Sequence, residues 1–404
     1  MLEKMQYLPV NWIDGMKISK DHFIETENAV IDRIRDNQAQ LLRLDNYGLL
    51  LPEPGKNQSL EYVVNAQQIN DVRITLHTCR AVTRAGVRIE ILKESNSQTA
   101  GGLELGLQYD FSNAANQDYY ILLGINPFKR MPVGMPRVDE TPPRHPFAQS
   151  SYYLDVRAAD EINREEFGAY QMPLGKIQLR GGQIKIEDTF IPPCTAIGAS
   201  PTLMSVFGNY MDQFFSIQKY AIEVMRKIKR KKITSTLTDN LYFLSDKVTF
   251  NIAELMHDFQ LHNKHLPPIE FVGVIQKLAR LIGTTIKCIP ENEREQMLNY
   301  FREWTRISSG DITHSLQFTS SFQYTHFDVN GNLENAKSFL DLIQNIFHKI
   351  SEQDYIDEGV RQVAPPPPPQ PTPQPTPVQK TSGIVVKNKE TGETVINKYW
   401  NIDE

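Results

Sequence analysis

The stretch SPTLMSVFGNYMDQFFSIQKYAIEVMRKI, Ser200 to Ile228, marks a change in the pattern of the chain. Ser200 followed by Pro201 is typical of a helix start, because serine caps free backbone amides and proline suits the first helical position. Apolar residues then recur in steps of four and three: Leu203, Phe207, Tyr210, Phe214, Ile217, Ala221, Val224 and Ile228. This spacing predicts a long helix with one apolar seam, which ends in the basic run 226–232.

Two more seams follow and predict a helical bundle. Their residues are Leu237, Leu241, Leu244, Val248, Ile252, Leu255 and Phe259 in one, and Ala336, Phe339, Ile343, Ile346 and Ile350 in the other. Between them, Pro267-Pro268 opens another predicted helix. Seams of this length are typical both of packing within one chain and of self-association, and both interpretations stay open.

Upstream of Ser200 the apolar period is two, which predicts strands. Val72, Ile74 and Leu76 alternate with polar residues, and a second alternating run follows the turn at Gly86. KIQLRGGQIKIE, 176–187, is typical of a hairpin, and the six prolines of 126–147 predict a long surface loop. Short strands without intervening helices predict an antiparallel, sandwich-like domain.

The first helix is predicted to begin after Ser19 and to end at Gly48. Its apolar residues have helical spacing and are expected to pack on a sheet: Phe23, Val30, Ile31, Ile34, Leu41 and Leu44.

The chain is long enough for several domains. Of its 404 residues we assign 1–196 to a β-rich domain with the N-terminal helix, 197–355 to a helical bundle, 356–380 to a Pro-rich linker and 381–404 to a C-terminal strand or hairpin module. The fold class is therefore α+β and multidomain, with a Pro-rich tail. The module is predicted to contact a partner through Ile384, Val386, Ile396, Tyr399 and Trp400. The alternative is that it folds back onto its own protein or stays disordered.

Composition and motifs argue against several classes of function. The net charge of -5 gives no pull toward nucleic acid, and we find neither a secretory signal pattern nor a run of about 18 apolar residues. The three cysteines are far apart, which fits a reducing compartment. Phosphate-binding loops and activated nucleophiles are absent from the sequence. We therefore predict no catalytic residue, no cofactor, no metal and no small-molecule substrate.

Two groups of histidines have an alternative interpretation. His257, His262 and His265 form a cluster, but their spacing differs from the HExxH zinc pattern, so a solvated helix end is favoured over a metal or pH-sensing role. His22 is predicted to bond the backbone near the helix start rather than to act as a base.

The stretch VNWIDGMKISKDHF, 10–23, combines large apolar side chains with a turn before the first helix. Trp12, Met16 and Phe23 are of the type that anchors protein interfaces, and they are our predicted partner-interface residues. The alternative is that they pin the helix onto the sheet.

Four stretches together resemble the TssK family of baseplate proteins from bacterial type VI secretion systems. They are VNWIDGMKISKDHF, TFIPPCTAIGASPTL at 189–203, LPPIEFVGVIQKLARLIGTT at 266–285 and FQYTHFDVNGNLENAKSFLDLIQNIF at 322–347. The resemblance covers about residues 8–350 in the family's order.

This resemblance implies a homotrimer with a β-rich shoulder (1–196) and a helical neck (197–355), whose shoulder docks on TssG and TssF. It implies a structural adaptor in the cytoplasm, at the cytoplasmic face of the inner membrane. Typical members carry a C-terminal head that engages TssL and TssM. The Pro-rich tail stands there in this sequence, so the membrane-side partner is expected to differ and to be reached through the tail. A phage-like tail or receptor-binding adaptor outside a secretion system is the alternative.

Overall fold

The chain has an α+β architecture in which one N-terminal helix is followed by antiparallel sheets and then by further helices. The computed structural model describes residues 3–68, 70–92, 105–163, 167–232 and 234–353. Within these residues the predicted class, a sandwich-like shoulder followed by a helical neck, is confirmed. The Pro-rich linker and the C-terminal module lie outside the described residues, together with their predicted interface residues, Ile384, Val386, Ile396, Tyr399 and Trp400.

The first helix, α1, spans Lys20–Leu41 and is shorter than predicted. The helix ends where the side chain of Asn46 bonds the backbone. Asn46 Oδ1 accepts from the Arg43 amide at 2.6 Å, and Asn46 Nδ2 donates to the Leu41 carbonyl at 3.4 Å. Gly48, the predicted end, instead starts the first strand. Its missing Cβ would lie 2.0 Å from the carbonyl oxygen of Pro193, so glycine is required there for close packing.

The first sheet is built around one long strand. It contains β1 (Gly48–Leu49), β2 (Leu60–Gln68), β3 (Asp71–Val82), β4 (Arg88–Ile91) and β5 (Leu105–Asp110). The other four strands all pair with β3, and each is antiparallel to it. Val72, Ile74 and Leu76 are fully buried on β3, which confirms the alternation read from the sequence.

The second sheet has the order β7-β6-β8-β9. Its strands are β6 (Asp118–Val133), β7 (Phe147–Ala158), β8 (Gln171–Arg180) and β9 (Gln183–Ile186). Gly181 and Gly182 both have positive φ, as a two-residue turn between β8 and β9 requires, and the predicted hairpin is confirmed. Buried residues of both sheets belong to one core, with Ile74 from the first sheet and Ile121 from the second.

The proline-rich segment forms a shorter loop than predicted, because its two ends are strands. Residues Arg130 to Val133 of β6 pair with Ser150 to Phe147 of β7, which leaves 134–146 as the loop. Pro132 fits here because β8 pairs with β6 only from Asp118 to Gly124. Beyond Gly124, β6 pairs only with β7 and is an edge strand on its other side. An edge strand tolerates proline, which has no amide proton to donate.

The neck consists of six α-helices within the described residues. They are α2 (Pro201–Lys231), α3 (Thr236–His262), α4 (Pro268–Lys287), α5 (Glu291–Thr305), α6 (Ser309–Ser321) and α7 (Val329–Glu352). Ser200 caps α2, since its Oγ accepts from the Leu203 amide at 3.3 Å. The seams of α2 and α7 are buried against neighbouring helices of the same chain. The two seams are therefore part of the hydrophobic core of a single chain.

An aromatic cluster joins the shoulder to the neck. Phe327, just before α7, packs edge-on against Tyr120 of β6 and against Phe167, with ring centroids 4.9 Å apart in both pairs. Next to it, His326 is buried and bonds the carbonyl of Tyr47 at 2.7 Å. The described residues up to Gln353 belong to one compact unit.

Candidate docking surface at the first helix

Exposed apolar side chains are concentrated at the N-terminal end of the chain. Of the 22 large hydrophobic residues that are exposed among the described residues, ten lie between Met5 and Leu44. Large exposed apolar patches on a protein surface mark interaction sites. This region is therefore the candidate functional site.

The structure brings two of the predicted interface residues together. Trp12 is 48% exposed and Phe23 is 58% exposed, and their ring centroids lie 6.5 Å apart. Trp12 also meets the His22 ring edge-on at 6.0 Å. Met16 is half-buried and lies at the end of the turn between these aromatic residues.

A tight turn sets the path of the chain between Trp12 and α1. The amide of Met16 donates to the carbonyl of Ile13 at 3.3 Å, and Gly15 at the third position has φ +78°. A type II turn requires such a φ, which glycine adopts without strain. At the start of α1, the Ser19 amide donates to His22 Nδ1 at 3.1 Å, so the predicted backbone-bonding role of His22 is confirmed.

Helix α1 is oriented opposite to the prediction. At 100° per residue, Phe23, Val30, Ile34 and Leu41 lie within about 20° of one line along the helix. All four are exposed, and so is Leu44 beyond the helix end, whereas Ile31 is half-buried. The buried residues of α1 lie on the opposite face: Asn28, Ala29, Asp32, Arg35 and Ala39.

The buried face of α1 is held by an ion pair. Arg35 Nε donates to Asp32 Oδ1 at 2.9 Å, and both side chains are almost completely buried. Asp32 Oδ2 accepts from the amides of Gln6 and Tyr7, the latter at 3.0 Å, and Arg35 Nη2 donates to the carbonyls of Glu3 and Lys4. The pair thereby fixes the N-terminal segment, residues 3–7, along the helix.

The pKa of Asp32 reflects this arrangement. Burial alone would raise the pKa, but the hydrogen bonds from the Tyr7 amide, the Arg35 side chain and the Gln6 amide more than offset it, and the pKa is lowered. The carboxylate is therefore charged at neutral pH. A buried pair needs such partners on both ions, because desolvation is costly for each of them.

Sequence reasoning missed the Asp32–Arg35 pair because it expected the apolar residues of the helix to pack on the sheet. One signal was present: Ala29 and Ala39 lie on the same face and are small enough to let the helix approach the sheet. Gly86 lies at the point of contact, where an added Cβ would be 2.4 Å from the Arg35 carbonyl oxygen. Small residues facing each other were the detectable sign of the buried face.

The described side chains offer little for metal or nucleophilic chemistry. Among them no group of three His, Cys, Asp or Glu residues could hold a metal ion. His257 and His265 are exposed, and the side chain of His262 lies outside the described part. Cys79 and Cys194 are buried, and burial raises the pKa of the Cys79 thiol to about 12, so this thiol is not ionised at neutral pH.

The neck carries a second exposed apolar face. Phe250 on α3 is 67% exposed, and Phe215 on α2 and Phe243 on α3 are also exposed. Gln218 Nε2 donates to the Thr249 carbonyl at 3.0 Å, which holds the Phe250 turn of α3 beside the turn of α2 that carries Phe215. The described helices include none that is long and apolar enough to cross a membrane.

Comparisons with known proteins give similarities in structure only. No model of a known protein family matches the sequence. No curated protein matches it either. The chain is similar to a crystal structure of TssK, with 12% identity and a TM-score of 0.48 over 84% of this chain and 69% of that one.

Two larger assemblies contain similar chains. One is the baseplate complex from the type VI secretion system, with 14% identity and a TM-score of 0.48 over 85% of this chain and 100% of the other. The other is the type VI secretion TssK-TssF-TssG baseplate subcomplex, with 13% identity and a TM-score of 0.43 over 84% and 99% of the two chains.

Proposed function

We propose that the chain is a structural component of a type VI secretion baseplate that docks partner proteins through its N-terminal segment and α1. The observation that carries this proposal is the orientation of α1. An apolar line of four side chains facing away from the core is costly in water, and burial against another protein removes that cost. The order of the four TssK-like sequence stretches supports TssG or TssF as the partner.

The proposed role is non-catalytic. The aromatic pair of Trp12 and Phe23 offers contact area, and His22, the titratable group beside it, already bonds the Ser19 amide. A catalytic site needs a nucleophile or acid-base pair with aligned geometry. The residues of this surface instead have the character of interface anchors.

The neck face is the proposed contact of a homotrimer. The seam residues of α2 and α7 are used within the chain, so self-association has to use other side chains. Phe215, Phe243 and Phe250 supply exposed aromatic area on two adjacent helices. The number of three comes from the resemblance to the TssK family, as does the proposed location at the cytoplasmic face of the inner membrane.

Substitution Trp12→Ala tests the docking role. The full chain is co-expressed with the TssG protein of the same secretion system, and the amount of TssG that co-purifies is measured. We expect a loss of about tenfold or more in recovered TssG, because central aromatic anchors contribute roughly 2 kcal/mol or more to an interface. Because Trp12 is half exposed, we expect little change in the stability of the chain itself.

Phe318→Ala is the matched control, since Phe318 is an exposed aromatic residue on α6, away from α1. This variant should retain TssG at the wild-type level. Unchanged recovery with Trp12→Ala, or unfolding of that variant by circular dichroism, would contradict the docking role. The second outcome would mean that Trp12 pins the helix instead.

A further inference from the structure

A groove of about 720 Å³ runs along one flank of α1. Its apolar wall includes Ile31, Ile34 and Leu42 from the helix side and Val87 from the turn before β4. Pro267 and His265, from the connection between α3 and α4, also line the groove. Cavities of roughly 300–1,000 Å³ hold drug-sized ligands, and a few side chains of an inserted peptide occupy a similar volume.

The rim of the groove is positively charged. Arg43 and Arg88 both line it, and no Asp or Glu of the described residues does. Each arginine pairs with a nearby carboxylate at 3.0 Å, Arg43 with the half-buried Asp45 and Arg88 with the exposed Glu90. Such surface pairs contribute about 0–1 kcal/mol, and a guanidinium has five N–H donors, so both arginines can bind a further carboxylate. The chain as a whole carries a net charge of -5, which makes this rim distinctive.

The buried arginine of α1 also belongs to the groove wall. Arg35 is 2% exposed, and its Nε and Nη2 are bonded within the chain, but its Nη1 has no hydrogen-bond partner among the described residues. A buried N–H without an acceptor costs roughly 1–3 kcal/mol. Because this atom has almost no accessible surface, Arg35 contributes packing to the wall and not a donor for an occupant of the groove. The wall is therefore mainly apolar, and the cationic donors that an occupant can reach are those of Arg43 and Arg88.

We propose that this groove binds a peptide segment of a partner protein, in which a bulky apolar side chain lies next to an Asp or Glu. The apolar side chain packs on Ile34 and Val87, and the carboxylate pairs with Arg43 and Arg88. A recess of this size favours an extended segment over a second folded surface. The inference rests on the proposed docking function and adds the chemistry of a partner segment that the Trp12 surface does not specify.

The test uses a displayed library of random 12-residue peptides, selected on the full purified chain and counter-selected on Ile34→Ser. We expect enriched peptides with an apolar residue beside a carboxylate. The affinity of one labelled peptide is then measured by fluorescence anisotropy. Replacing its Asp with Asn should weaken binding about tenfold, and Arg88→Ser should weaken it about fivefold and reduce its dependence on salt.

Two variants serve as matched controls. Val30→Ser alters a neighbouring residue of the same exposed line, and Arg33→Ser removes an exposed arginine of α1, and neither residue lines the groove. Both should bind the peptide within twofold of the wild type. Circular dichroism and light scattering confirm that all variants keep their fold and mass.

Three outcomes would overturn the inference: no enrichment over Ile34→Ser, enriched peptides that lack acidic residues, or peptides that bind all variants equally. A second copy of the chain in the groove would also overturn it, and would appear as a mass in light scattering that falls with Ile34→Ser. Trp12-dependent recovery of TssG is scored separately. If it persists while the peptide test fails, the groove inference is wrong and the docking function stands.

Discussion

At the scale of single residues, His326 connects the two halves of the chain through a defined tautomer. Its Nε2 lies 2.7 Å from the Tyr47 carbonyl oxygen, which can only accept, so Nε2 carries the proton. Its Nδ1 then accepts from the Tyr324 hydroxyl at 2.9 Å. Burial of the ring lowers its pKa to about 4, despite the bond to Tyr47.

This pKa predicts a pH dependence of stability. An unfolded chain takes up a proton at His326 near pH 6.5, whereas the folded chain does so only near pH 4. The unfolded state therefore binds more protons in this window. The contribution of His326 to the free energy of unfolding is fully present above pH 6.5. About 3 kcal/mol of it is lost as the pH falls to 4.

Urea unfolding followed by circular dichroism between pH 4 and 7 measures this effect. His326→Gln is the comparison, since an amide keeps one donor and one acceptor but does not titrate. We expect its unfolding midpoint to fall less than that of the wild type across the window. Parallel pH profiles for the two proteins would contradict the assignment.

At the scale of secondary-structure elements, α1 depends on one glycine of the turn between β3 and β4. Gly86 has φ +81°, and a Cβ there would lie 2.4 Å from the Arg35 carbonyl oxygen and 2.7 Å from the Ala39 amide nitrogen. Both atoms belong to the backbone and cannot rotate away. Gly86→Ala should therefore destabilise the chain by about 2 kcal/mol or more and displace α1.

Thermal unfolding and limited proteolysis of the N-terminal segment check this expectation. Gly55→Ala is the matched control, because Gly55 has a similar φ of +84° but open space around it. Gly55→Ala should lower the free energy of unfolding by about 1 kcal/mol through backbone strain alone. Helix α1 should remain protected from proteolysis in this variant. Equal effects of the two substitutions would show that close packing of α1 on the turn is not what Gly86 provides.

The elements themselves could largely be predicted from the sequence, but the faces of α1 could not. The apolar residues that alternate along β3 are buried, and so are the seam residues of α2. In both elements the sequence pattern therefore predicted the buried face. In α1 the same rule gave the wrong face, because the rule assumes that an apolar line packs on its own chain. The Trp12–Phe23 contact could have been predicted from the sequence, whereas the groove combines residues from six separate segments and has no local pattern.

At the scale of the whole molecule, the exposed aromatic residues of the neck predict where copies of the chain meet. Phe250→Glu places a charge at the centre of the proposed trimer contact, and burial of an unpaired charge is strongly unfavourable. We expect the mass of the full chain at micromolar concentration to fall from that of a trimer to that of a monomer. Light scattering measures this directly.

Phe318→Glu is the corresponding control on α6, because it introduces the same charge at an exposed aromatic position outside the α2–α3 face. This variant should keep the trimer mass. A trimer that survives Phe250→Glu would rule out the neck face as the contact, and a wild-type monomer would argue against the family resemblance as a whole.

The aromatic cluster around Phe327 has a mechanical consequence. The cluster packs the second sheet against the start of α7. At the opposite end of that helix, Lys227 Nζ donates to the carbonyls of Ser351 and Gln353. Helix α2, which runs beside α7, has 31 residues and is about 47 Å long. A displacement of the second sheet would therefore be transmitted to the far end of the neck through two packed helices.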